Sequence, residues 1–404
     1  MWAGMALTAV GARRGDGQQP SPPRSPIPIS AWAVRDTEVF LARHPSAEDF
    51  FDSAAALFNP PSGSLERRAI TTGIVQSLGD SLDRIVGIAI RDRGDQAAIA
   101  MLHQQRVTMH YRQGYVGGLR LVDLRTGRDV TPAKLQADES PAEQPVYAPD
   151  GRSLVVGRYH ELSSRRTCAY VACGEDEFTR FDIWVHRVDL TTGSDIRLVR
   201  VGRDDMEGSA PGFLISPTAD RVLVWSYPGS TTGPGSRLRP ASSRIIDLAT
   251  AKQIPGFRRD ALAMSETRPS ITCASDSTPT GFIEFSPNGR LLARGTDGAV
   301  KLIDSWTGAR IGERSLGPAK RGSPAGDSTQ VVILNGHVNN DSSLVLTTCR
   351  PGVAGARVES VNVRTGKRQM LYATSQVLRD AVLRSEMLVV RTDTAVLNIR
   401  VPPH

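Results

Sequence analysis

Long hydrophobic runs are missing from this chain of 404 residues. Its most apolar stretch, Met1 to Ala12, falls short of the about 20 apolar residues that a bilayer-spanning helix needs, so it cannot cross a membrane as written. Lysine is scarce: the 49 basic residues are 44 Arg and only 5 Lys, a skew that GC-rich coding produces before any ligand does. Net charge is +7 and the pI is about 9.5, yet the chain has no run of five like charges. Aromatic residues make up 5% and do not alternate with bases. A nucleic-acid groove is therefore not expected, although long-range attraction still favours an acidic partner surface. The histidines (His44, His103, His110, His160, His186, His337 and His404) are scattered. His-Glu-x-x-His, Gly-x-Ser-x-Gly and GxxxxGK[ST] patterns are all missing. On these grounds no catalytic residue, metal site or cofactor is assigned.

What is present is a recurring turn. Six hydrophobic runs end in a Thr-Gly corner or its near copy: Ile70-Thr71-Thr72-Gly73, Leu124-Arg125-Thr126-Gly127, Leu190-Thr191-Thr192-Gly193, Leu248-Ala249-Thr250-Ala251, Trp306-Thr307-Gly308 and Val363-Arg364-Thr365-Gly366. Their last residues lie 54, 66, 58, 57 and 58 positions apart. Three of the corners follow a hairpin signature at Tyr147 to Val156, Ile215 to Val224 and Phe285 to Ala293. In it Pro presets φ, and Asp-Gly or Asn-Gly supplies the positive φ of a tight turn. Alternating runs such as Ile183 to Leu190, Arg244 to Leu248 and Val300 to Ile303 give a third strand, so the unit is a four-stranded meander. A period of this size implies an all-β radial array of about seven blades, a single β-propeller.

These hairpins resemble the WD40-like repeats called PD40, found in TolB-type propellers. The resemblance spans most of the chain from about residue 80, and it implies the fold without implying an activity. The chain departs from true WD40 repeats, since no Trp-Asp dipeptide closes a third strand and Gly-His occurs only at Gly336-His337.

One propeller accommodates the length. Residues 1–30 read as a signal-like and linker segment and 31–404 as the propeller. Its blades are expected at about 31–80, 81–135, 136–200, 201–256, 257–315, 316–372 and 373–404. The last is one strand short, and Ser25 to Ser30 is the expected N-terminal strand that closes the ring, because an edge tolerates Pro. Ala47 to Phe58 has helical spacing. Met1 to Ala12, followed by Arg13-Arg14, resembles the rear of a signal peptide. An exported, extracytoplasmic protein is the expectation and a cytoplasmic one the alternative. Cys168 and Cys173 are a candidate local disulfide, with too few nearby ligands for a metal. Cys273 and Cys349 either pair across blades or fill apolar space.

Loop lengths carry the functional reading. Antiparallel strands put the first-to-second and third-to-fourth turns of every blade on one face and the remaining connections on the other. The first face carries only tight turns. The second carries His103 to Val116, Glu161 to Phe181, Tyr227 to Ser243, Arg258 to Thr280, Leu316 to Thr329 and Cys349 to Gly355. Recognition residues concentrate on loops held by a rigid scaffold, and Tyr and Arg are favoured interface anchors. The candidate binding residues are therefore Tyr111, Arg112, Tyr115, Arg165, Arg166, Tyr170, Tyr227, Arg237, Arg239 and Arg350. They imply a monomeric, non-catalytic module for a protein or cell-envelope ligand, tethered to a membrane at most. The alternative is a propeller hydrolase or lyase with a central-channel site dependent on a divalent metal; Glu284 and Asp380 are innermost-strand acids, a kind of group that also occurs as a hydrogen-bonded channel residue.

Overall fold

The second strand of every blade is a short apolar run, as in Val39-Phe40-Leu41-Ala42, Leu223-Val224 and Leu388-Val389-Val390, because both faces of that strand are buried. The computed structural model describes residues 29–44, 63–82, 85–92, 94–107, 112–136, 140–166, 177–204, 211–226, 242–257, 282–296, 299–316, 331–350, 355–384, 386–392 and 394–401. Blade 1 comprises β1 (Ile29–Arg35), β2 (Glu38–Arg43), β3 (Gly63–Ala69) and β4 (Val75–Leu82). Blade 2 has β5 (Ile85–Ile90), β6 (Gln96–Val107) and β7 (Arg112–Asp123), with a Val122↔Asp129 bridge in place of a fourth strand. A one-turn helix, α1 (Ala133–Gln136), leads to blade 3: β8 (Ala142–Tyr147), β9 (Ser153–Arg166), β10 (Glu177–Asp189) and β11 (Asp195–Asp204). Blade 4 has β12 (Gly212–Ile215), β13 (Arg221–Ser226) and β14 (Ser242–Asp247), with an Ile246↔Gln253 bridge. Blade 5 is β15 (Phe282–Phe285), β16 (Leu291–Thr296), β17 (Ala299–Asp304) and β18 (Arg310–Ser315). Blade 6 is β19 (Val332–Asn340), β20 (Ser343–Cys349), β21 (Ala356–Asn362) and β22 (Arg368–Thr374). Blade 7 is β23 (Asp380–Arg384), β24 (Met387–Arg391) and β25 (Val396–Arg400). The molecule is a seven-bladed, all-β propeller.

Strand alternation builds the core between blades. On β2, Phe40 and Ala42 face blade 2, and Val39 and Leu41 face blade 7. Seven apolar clusters result, one at each boundary of neighbouring blades. The seventh, joining Ile29, Val39, Leu41 and Ile70 to Val389 and Val396, closes the ring. Closure at the N-terminal strand is thus by face packing. Ile29 and Ser30 do not extend blade 7 as the sequence suggested: they open β1, where Ile29 pairs with Arg43 of β2 and Ser30 sits at a shift of register. Residues 25–28 and the expected helix at 47–58 lie outside the described residues.

Five of the corners are held by an Asp or Asn just ahead of the pattern read from sequence, Ala69 standing there in the first. Asp123 Oδ1 accepts from the N–H groups of Arg125 and Thr126 and from the Thr126 hydroxyl. Asp189 repeats this with Thr191 and Thr192, Asp304 with Trp306 and Thr307, and Asn362 with Arg364 and Thr365. The bonds from Thr126 and Thr192 hold Asp123 and Asp189 below the usual carboxylate range. No connection on this face exceeds five residues, and every longer one lies opposite.

Candidate functional site

The first strands of successive blades contact one another, β1 with β5, β5 with β8, β15 with β19 and β19 with β23, so they surround the axial channel. Four of them contribute one connected group. Trp32 Nε1 on β1 donates to Asp380 Oδ2 on β23 at 2.9 Å. His337 on β19 sits between Asp380 Oδ1, 2.7 Å from Nε2, and Glu284 Oε1 on β15, 2.8 Å from Nδ1. Glu284 Oε2 accepts from Val338 N at 2.6 Å. Gly336 permits this approach, because a Cβ there would stand 2.7 Å from the Phe282 ring. Burial opposes a charged ring, but Asp380 and then Glu284 outweigh it and raise the His337 pKa well above the ordinary histidine value. Burial would raise the Asp380 pKa, and His337, Arg391 and the Trp32 N–H lower it instead. His337 is therefore an imidazolium donating from both nitrogens. With neither nitrogen open, the group suits neither general-base catalysis nor metal ligation, and it stitches blades 1, 7, 6 and 5 together.

The opposite side of the ring carries a projection. Strands β6 and β7 run for 12 residues each, and β9 and β10 for 14 and 13, against 6 for β13 and β16. The described residues of the stretches His103 to Val116 and Glu161 to Phe181, expected as loops, are thus paired strands continuing those of the blades. Their backbone groups are satisfied by each other: β6 pairs with β7 to Val107↔Arg112, and β9 with β10 to Glu177↔Arg166. The two arms meet where β10 pairs parallel to β7 at Phe178↔Gln113, merging blades 2 and 3 into one seven-stranded sheet.

At the root of the blade 3 arm lies a second polar chain. His160 Nε2 on β9 is 2.8 Å from His186 Nε2 on β10, and His186 Nδ1 is 2.5 Å from Asp195 Oδ1 on β11. Arg158 Nε, on a fully buried side chain, is 2.9 Å from Asp195 Oδ2. Arg197 Nη2 approaches His160 Nδ1 at 3.5 Å, its guanidinium 5.6 Å from the Trp184 ring.

Of the residues singled out from sequence, Arg112 and Tyr115 lie on β7, and Arg165 and Arg166 on β9. The register draws Arg106, Gln113, Phe178 and Arg165 into one cross-strand row, with Arg112 and Arg166 adjacent to it. Arg350 follows β20 on the same face and is half-buried. Tyr111, Tyr170, Tyr227, Arg237 and Arg239 lie outside the described residues, as do Cys168 and Cys173. Cys349, 2% exposed, is disulfide-bonded rather than an apolar filler. Sequence reasoning marked Glu284 and Asp380 but missed Trp32 and the role of His337. It also left His160 among the scattered histidines, because its partners arrive from β10 and β11 through strand register alone.

No protein-family model and no curated protein matches this chain. Among solved structures it is similar to a chain of the mitotic checkpoint complex, with TM-score 0.46, 11% identity, 98% of this chain covered and 99% of the other. It is also similar to the tricorn protease (TM-score 0.45, 13% identity, 93% and 33% covered). A third similar structure is an oligogalacturonate lyase in complex with manganese (TM-score 0.38, 14% identity, 64% and 58% covered). The chain spans a third of the tricorn protease chain and under two thirds of the lyase chain.

Proposed function

We propose that this propeller is a recognition module of the PD40-like type, which holds a protein or cell-envelope ligand on the face carrying the long connections. The observation that carries this reading is the pair of hairpin arms of blades 2 and 3, joined at Phe178↔Gln113. Among the described residues, the part of this sheet that leaves the ring pairs within blades 2 and 3, and it presents a surface beyond the ring. Arg106, Arg112, Arg165 and Arg166 occupy neighbouring register positions there and favour an acidic partner. The doubly bonded His337 supports recognition over catalysis in the channel. An extracytoplasmic location is part of the proposal, and the bonded Cys349 supports it because disulfides persist in oxidising compartments.

Photo-crosslinking groups placed at Tyr115 and Arg166, with controls at Arg152 and Thr250 on the tight-turn face, test the reading in cells that make the protein. The expected result is one partner captured from the arms only, and lost when Arg165→Glu and Arg166→Glu are introduced together. Equal capture from both faces would end the proposal. A membrane-impermeant amine label applied to intact cells tests the compartment, and a protein labelled only after lysis would refute export.

A further inference from the structure

The geometry of the chain at the root of the blade 3 arm is met by one arrangement of protons with neutral rings. Asp195 accepts at His186 Nδ1, so in a neutral ring His186 Nε2 carries a lone pair and accepts in turn from His160 Nε2–H. His160 Nδ1 is then the acceptor facing Arg197. The imidazole nitrogens are 2.8 Å apart while the ring centres are 4.8 Å apart, so the rings meet nearly head to head. That geometry suits one shared proton. Two lone pairs converging on an ion would require the rings to be splayed.

The chain stands where the arm leaves the ring. The β9–β10 register slips between Arg180 and Phe181, leaving Leu162 unpaired in a bulge and 44% exposed. Support from β11 ends at the same point, with Phe181↔Asp204. Beyond it, among the described residues, the arm's strand pairings are its own hairpin and the one to β7.

We propose that the chain Arg197–His160–His186–Asp195–Arg158 is an acid-sensitive clasp that fixes the blade 3 arm to the ring. In the clasped state a single proton lies between the two Nε2 atoms, 2.8 Å apart. A first proton on His160 Nδ1 places a cation against Arg197. A second on His186 Nε2 sets two N–H donors head to head, so the link parts and the arm loosens at its bulge. Histidine is the side chain whose charge changes between about pH 5 and 8. The surrounding charges pull both ways. Asp195 on β11 and Asp182 on β10, the latter cross-strand from His160 and bonded to Arg200 and Arg203, attract protons, as does Glu161 on β9. Arg158 and Arg197 repel them, and Lys134 of α1 packs beside the Gly193 turn. The blade 2 wall facing the pair is apolar, formed by Ala98, Ala100, Leu119 and Leu121.

The use of such a clasp rests on the recognition reading, but its test needs no partner, so the two stand or fall separately. Amide exchange is measured on the full chain at about pH 7.5 and about pH 5, corrected for intrinsic rates and referenced to β20. Protection of residues 163–166 and 177–180 is expected to fall about tenfold in acid, the loss of one hydrogen bond. In His160→Gln, whose amide donates to His186 without titrating, the fall is expected to stay below about twofold. An equal fall in both proteins, or none in the natural one, overturns the clasp. Imidazole NMR of the unaltered protein is the second check. The two rings should titrate in separated steps, and two independent ordinary titrations overturn the clasp.

Discussion

At the scale of single residues, the molecule places its charge where the ring must hold. His337 binds its proton more tightly than in an unfolded chain. The stability this contributes is complete below the ordinary histidine pKa and is lost as pH climbs above neutral towards the folded value. Asp380 binds its proton less tightly, so its contribution is complete above the ordinary carboxylate range and disappears as pH falls through that range. The two limbs leave a plateau between about pH 5 and about pH 7. Replacing His337→Gln leaves one carboxylate short of a donor and is expected to lower stability by about 2 kcal/mol at neutral pH. It should also flatten the alkaline limb, as read from urea unfolding at neutral pH and two units higher. An unchanged alkaline slope would remove His337 from the account. Such clusters were hard to read in the sequence. Glu284 and Asp380 could be placed on inner strands from the repeat, but their separation from His337 by 53 and 43 positions is bridged only by ring geometry.

At the scale of elements, one corner motif serves two different mechanical purposes. Gly73 and Gly308 share the left-handed conformation, at φ 70° and 73°, so alanine at either position should cost about 1 kcal/mol of backbone strain. A Cβ on Gly73 would meet nothing, whereas one on Gly308 would stand 2.1 Å from Phe257 N in the neighbouring blade. Gly308→Ala is therefore expected to cost at least about 2 kcal/mol more than Gly73→Ala, measured by parallel denaturant melts. Equal losses would show that the corner does not lock blade 5 to blade 4. The corners themselves were legible because turn chemistry is local: Thr and Gly are demanded by φ and by the Asp ahead of them. The arms were not legible, since nothing in the sequence of β6 and β7 beyond Met101 and before Gly118 distinguishes a loop from paired strands until β7 finds β10. The same limit hid the His160–His186 pair, which depends on cross-strand register rather than on spacing along the chain.

At the scale of the whole molecule, six blade boundaries are crossed by the chain and the seventh is not. Neighbouring blades 5 and 6 are tied by Arg314, whose Nε donates to Val363 O at 2.7 Å and Nη2 to Arg364 O at 2.8 Å, some 50 residues away. Across the seam, Arg43 Nη1 reaches Thr394 O at 2.9 Å and Asn398 Nδ2 reaches Ile70 O at 3.0 Å, over separations of 351 and 328 residues. Closing so long a loop costs more chain entropy than closing a short one, and no covalent link keeps blade 1 beside blade 7 when these contacts break. Removing two hydrogen bonds at either boundary should cost about 2 kcal/mol, so total stability alone does not separate the sites. The location of opening does. Arg43→Ala with Asn398→Ala is expected to speed amide exchange in β1, β2, β24 and β25 while blades 3 and 4 keep their protection, because a ring released at its seam frays from both ends. Arg314→Ala should instead speed exchange locally, beside the Val363 to Gly366 corner. If both proteins lost protection in the same strands, the ring would be opening as one cooperative unit, and the seam would have no special standing in the fold.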